Sequence, residues 1–148
     1  MKAVLVGAVV DIACTYGSGF ATALTIGIVW GFRHVPHDQW ASYSTRPTML
    51  IWGLLIGNGS ALLGGFVAGR MATTGELVHA ALAILPCMTL GAILHFVVRV
   101  TTPVPTWYTI AAFGLVLPFG IAGGYLGRQR KQTLAAIRAA RSAAVAVP

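Results

Sequence analysis

Residues Pro47 to Arg70 read PTMLIWGLLIGNGSALLGGFVAGR, and the only charged side chain among them is the last. An uncharged run of this length at 1.5 Å rise per residue makes a helix of about 34 Å, enough to cross the ~30 Å hydrocarbon layer of a bilayer. Within it Gly53, Gly57, Ala61, Gly65 and Gly69 place a small residue at every fourth position, and Ser60, Gly64 and Ala68 form a second ridge beside the first. In lipid, apolar side chains gain little by meeting one another, so close backbone approach and dispersion contacts must hold helices together. The stretch reads as a transmembrane helix built to be packed against.

Three further stretches share this character: Ala3 to Phe32, Leu77 to Val98 and Thr106 to Gly127, with Asp11 as their only formally charged residue. The chain as a whole is 57% hydrophobic and only 9% charged, with a mean hydropathy of +0.80. A soluble domain carries about a quarter charged residues, so this chain lacks the polar surface to cover four such segments in water. The expected fold class is all-α: an integral membrane four-helix bundle with helices at about 3–32, 47–69, 77–98 and 106–127, followed by a basic tail over 128–148. The length accommodates one membrane domain and no second core.

The small-residue device recurs. The first helix has Thr15, Gly19, Ala23, Gly27 and Gly31; the fourth has Gly120 with Gly124 and Gly123 with Gly127. The third offers Ala83, Cys87 and Gly91 on one stripe, and Pro86 predicts a kink there. The helix-packing positions expected are Gly19, Gly27, Gly53, Gly57, Gly65, Gly69, Gly120 and Gly124. They predict a compact bundle, with a spare ridge free for a homodimer or for another membrane protein. Helix 2 ends GGFVAGR at 64–70 and helix 4 ends GGYLGR at 123–128. That echo fits a two-hairpin pseudo-repeat about an axis along the membrane normal, and equally fits convergent membrane-exit chemistry.

The run Gly64-Gly65-Phe66-Val67-Ala68-Gly69-Arg70, followed by Glu76-Leu77-Val78-His79-Ala80, resembles a pattern in small bacterial four-helix membrane proteins of unknown function. The resemblance covers about 20 residues. It implies the same architecture and a multi-pass place in the bacterial inner, or cytoplasmic, membrane. It carries no activity.

Charge sets the expected topology. Lys2, Arg70, Arg128, Arg130, Lys131, Arg138 and Arg141 would lie on one side, and Arg33, Arg46 and Arg99 on the other. By the positive-inside rule both termini are expected in the cytoplasm. Ala21-Thr22-Ala23 offers a superficial signal-cleavage site, but the apolar run continues past it to Phe32 and Asp11 interrupts the stretch that would be the signal core. The first segment is therefore expected to stay as a membrane helix. Cys14 and Cys87 fall inside helices, where thiols usually serve as small packing residues, and they form no disulfide framework.

Polar groups inside the spans are the candidate site. Asp11 is costly in hydrocarbon, so it is expected either to face the bundle interior as a proton or cation site, or to sit hydrated near the interface with His79 or Arg70. His79 lies at a similar expected depth on the third helix, and the two would make a titrating couple if they met. Asn58 falls near mid-membrane, as an interhelical hydrogen-bonding residue or part of a permeation site. His95 lies about 24 Å along the helix from His79, too far to share a metal, and reads as interfacial. His34, His37 and Asp38 are too loosely spaced for a metal site, and none is expected. Trp30, Trp40, Tyr43, Trp107 and Tyr108 read as an outer aromatic belt, with Pro103 and Pro105 stiffening the third loop. Arg128, Arg130 and Lys131 are expected on anionic headgroups of the bilayer, with no need of nucleic acid.

No paired carboxylates, nucleophile–base set or haem-ligand pair appears, so no enzyme and no cofactor are expected. The function expected is a small transporter or channel-like protein using Asp11, with Asn58 and His79 as further candidates. The alternative is an accessory or assembly subunit packing through its glycine ridges. A transporter should gather Asp11, Asn58 and His79 around one cavity; an accessory protein should bury them in closed contacts.

Overall fold

The computed structural model describes residues 1–36, 39, 42–43, 45–97 and 104–145. These residues contain four long helices and no strand. Helix α1 runs Lys2–Phe32, α2 Pro47–Met71, α3 Glu76–Ala92 and α4 Thr106–Val145. All four are long and apolar enough to cross a membrane. Helix α3 passes directly into a π-helical turn over Ile93–Val97.

Local chemistry explains the boundaries. Arg46 is extended, and Pro47 opens α2 at a position where a backbone N–H has no helical partner to lose. Gly75 takes the left-handed conformation at φ +62° immediately before α3, which glycine adopts without strain. Glu76 in the first turn of α3 complements the positive end of the helix dipole. The short connection between α2 and α3 makes them antiparallel neighbours. Pro86 and Pro118 lie inside α3 and α4, and helices in lipid tolerate such residues when neighbours supply the lost partners.

Helix α4 runs without a break past Gly127, where the sequence reading ends the fourth span, through the basic tail that the same reading expects to be an alanine-rich helix as far as Arg141. From Arg128 to Val145 the chain contains neither glycine nor proline and is rich in alanine, so nothing stops helix propagation. Lys131 anchors this extension: its Nζ donates to the Ala72 carbonyl oxygen at 2.6 Å and lies 3.4 Å from the Glu76 carboxylate.

Helices α2 and α3 each touch the other three, whereas α1 and α4 make no contact with one another among the described residues. The bundle is thus a central α2–α3 pair flanked by α1 and α4. Packing is tightest at the end that holds the start of α1 and the α2–α3 turn. There Gly7 of α1 lies on the Gly64 carbonyl and Ala68 of α2, and Gly64 lies on Gly7 and Asp11. Gly65 and Gly69 lie on the backbone of Gly120 and Gly124, a register that makes α2 and α4 parallel. Gly123 and Gly127 rest on the Leu62 and Phe66 carbonyls, and Ile84 and Ala80 of α3 cover Gly120 and Gly124. Ile84 is fully buried.

Towards the other end many glycines face open space: at Gly17, Gly19, Gly27, Gly31, Gly57, Gly59, Gly91 and Gly114 a Cβ would meet no atom within 4 Å. Contact there is made by larger side chains, with the Trp52 indole N–H donating to the Thr22 hydroxyl at 3.4 Å and Tyr108 over Gly53. The outward surface of the helices is as greasy as their seams, with Leu5, Val9, Phe20, Leu55, Val78, Phe96 and Ile110 all more than half exposed. A soluble monomer rarely shows apolar patches on that scale; lipid accommodates them.

Candidate functional site

Beyond the glycine-packed end, the helices enclose a partly open cavity of about 270 Å³. Every helix contributes: Asp11 and Thr15 from α1, Leu54, Gly57 and Asn58 from α2, Cys87, Met88 and Gly91 from α3, and Tyr108, Phe113 and Val116 from α4. Among the described residues Asp11 is the only formally charged one in the lining, and no Lys, Arg or His is among them.

Asp11 sits on the third turn of α1, where the Gly64 backbone of α2 lies against its Cβ. Only 1% of the residue is exposed. Glycine at 64 is what lets α1 come close enough to bury it. The Thr15 hydroxyl, one turn on, donates to Asp11 Oδ1 at 3.4 Å, and the Cys87 thiol stands beside the carboxylate from α3. The second oxygen, Oδ2, has no hydrogen-bond partner of good geometry.

Asn58 is 7% exposed. Its Nδ2 donates back to the Leu54 carbonyl of its own helix at 2.8 Å, in place of the interhelical bond expected from sequence. The amide oxygen Oδ1 is left buried without a partner. Two acceptor oxygens, on side chains from two helices that line one cavity, are therefore buried and unsatisfied. Polar groups buried in a native structure are normally paired, and an unpaired one costs about 1–3 kcal/mol.

The apolar share of the wall is set by α3 and α4. Phe96 in the π turn stacks on Phe113 with ring centroids 5.9 Å apart, and His95 approaches the same ring at 6.5 Å. Tyr108 turns inward, whereas the sequence reading puts it in the outer belt. Gly53 explains the difference, because a Cβ there would stand 2.8 Å from the Tyr108 hydroxyl.

The remaining candidates fall elsewhere. His79 does not line the cavity, no ion pair joins it to Asp11 among the described residues, and its Nδ1 lies 3.0 Å from the Gly75 carbonyl oxygen. Of the expected packing glycines, Gly65, Gly69, Gly120 and Gly124 stand in backbone contact and Gly53 faces Tyr108, while Gly19, Gly27 and Gly57 touch nothing. Arg128 and Arg130 are exposed on the extension of α4, and Lys131 is engaged by Ala72 and Glu76. Trp30 packs on Tyr43 at 4.9 Å, and the Arg46 guanidinium lies 3.7 Å over the Tyr43 ring. His37, Asp38, Trp40, Arg99 and Pro103 lie outside the described residues. Thr15 and Cys87, read from the sequence as packing residues, line the cavity, and so do Met88 and Phe113, which the sequence did not single out. The i to i+4 spacing from Asp11 to Thr15 was the one signal present; the others are ordinary residues of an apolar helix. Comparisons with family models, curated proteins and solved structures find nothing that matches this chain.

Proposed function

We propose that this chain is a small polytopic transporter or channel-like protein whose solute site is the cavity at Asp11. The observation that carries the reading is the pair of buried, unpartnered oxygens, Asp11 Oδ2 and Asn58 Oδ1, at one cavity. Ionisable groups held inside a membrane protein usually mark a solute or proton path, because their insertion costs several kcal/mol. A subunit that only assembles with others has no use for unpaired acceptors buried beside a cavity. It would close them in hydrogen bonds, as the seam glycines close the backbone below.

In this reading the glycine-packed end is the shut side of the path and the opposite end is its mouth. The basic end is the cytoplasmic one, in a bacterial inner membrane, so the mouth faces outward and both termini lie inside. The hairpins α1–α2 and α3–α4 then act as two similarly oriented halves rocking about the glycine seams. His79 has no part in the path.

Solid-supported membrane electrophysiology on proteoliposomes tests this directly, with concentration jumps of protons, sodium and 2-phenylethylammonium in turn. At least one cation should produce a current absent from empty liposomes and reduced tenfold or more in Asp11→Asn. Silence with all three, from protein that circular dichroism shows to be helical, would overturn the transport reading and leave the accessory one.

A further inference from the structure

We infer that the cavity takes a primary organic ammonium ion: an R–NH₃⁺ head on an apolar body. The assignment deepens the reading above and presupposes that the cavity is a solute site. Its polar end holds one carboxylate and a set of acceptors. Asp11 Oδ2 and Asn58 Oδ1 are both buried without a hydrogen-bond partner of good geometry. One N–H of the Asn58 amide is spent on Leu54 and the Thr15 hydroxyl on Asp11, while the second amide N–H and the Cys87 thiol beside Asp11 carry no charge. What the site lacks is a donor that carries positive charge. An ammonium head supplies three N–H groups and neutralises Asp11, and charge-assisted bonds of that kind are roughly twice as strong as neutral ones.

The alternatives fit less well. An anion would meet Asp11 with no Lys, Arg or His among the described wall residues to oppose it. A divalent metal needs several charged or imidazole ligands, and no group of three His, Cys, Asp or Glu exists among the described residues. A bare alkali ion would use the oxygens but leave the rest of the space unexplained. That space is bounded by Leu54, Met88, Phe113 and Val116, with Tyr108 beside them. Aromatic faces attract cations and pack apolar groups, and the Met88 thioether adapts to irregular shapes. At about 30 Å³ per water, 270 Å³ matches about nine water molecules, comparable to a ligand with nine non-hydrogen atoms such as 2-phenylethylammonium.

Isothermal titration calorimetry of the full chain in lipid nanodiscs distinguishes the classes, with four probes: 2-phenylethylammonium, the neutral 2-phenylethanol, the anionic phenylacetate, and sodium. The ammonium should bind at least tenfold more tightly than each of the others. Asp11→Asn should weaken it about thirtyfold or more, as expected when one partner of a buried charge pair is removed. Asn58→Leu should weaken it by roughly tenfold. Preference for the alcohol, the carboxylate or sodium in the unmodified protein overturns the assignment without appeal to any variant. If cation currents are seen but the ammonium does not bind, the ligand class is wrong and transport stands. If the ammonium binds and no current appears, the class is right and the transport reading fails.

Discussion

Alanine at position 69 would place a methyl group 2.5 Å from the Gly124 carbonyl oxygen and 2.7 Å from its Cα, across the seam between α2 and α4. Ordinary contact begins near 3.4 Å, so the two backbones would have to part by about 0.9 Å at that point. Backbone atoms cannot rotate away as a side chain can. A gap approaching 1 Å forfeits a quarter to a half of each dispersion contact along the seam, and overpacking of this kind costs about 1–3 kcal/mol. Replacing glycine in a helix returns about 0.5–1 kcal/mol. The net expectation is a loss of about 1–2 kcal/mol for Gly69→Ala. Gly59 lies on the same helix with nothing within 4 Å of its would-be Cβ, so Gly59→Ala should gain up to about 1 kcal/mol. The gap of roughly 2 kcal/mol between the variants is about thirtyfold in the unfolding equilibrium. Unfolding of both proteins by SDS titration in mixed micelles, followed by circular dichroism, measures it. Equal stabilities would refute the claim that backbone contact at this seam holds the bundle.

Other perturbations probe the rest of the molecule. Gly53→Ala should destabilise the protein because its methyl meets the Tyr108 hydroxyl at 2.8 Å; in the Tyr108→Phe background the nearest ring atom is 3.8 Å away and the penalty should vanish in a double-mutant cycle. Lys131→Met removes the bond to Ala72 and the pairing with Glu76, so hydrogen exchange should quicken over 128–142 and stay unchanged in the seam around Gly65. Cys87 lines the cavity, so in a Cys14→Ala protein a water-soluble thiol reagent should label it, and Gly57→Leu, which fills the space beside it, should slow that labelling several-fold; equal rates would mean the cavity is not the route of access. Gly19→Leu and Gly27→Leu fall where nothing lies within 4 Å, so neither should alter monomer stability by more than about 0.5 kcal/mol, and a larger effect in detergent would reveal a partner on that face.

What the amino-acid order determined by itself is the set of spans. Hydropathy and helix length are sums over neighbouring residues, and bilayer thickness supplies the yardstick. Helices α1 and α2 accordingly begin and end within two residues of their expected limits, while α3 starts one residue early, ends at Ala92 and fills the rest of its expected span as a π turn to Val97. The same local logic singled out Asp11 and Asn58, since a polar group inside an apolar run stands out whatever surrounds it. Which glycine ridge is used could not be read that way. Gly65 and Gly19 carry the same spacing signal, yet one presses on Gly120 and the other faces open space, because each helix turns one side to a neighbour and the other outward. The same packing decides that Asp11 and Asn58 share a cavity while His79 does not, and that Tyr108 turns in over Gly53. Those outcomes depend on the rotation of each rod against its neighbours. Such contacts join residues dozens of positions apart, and no sum along the chain contains them.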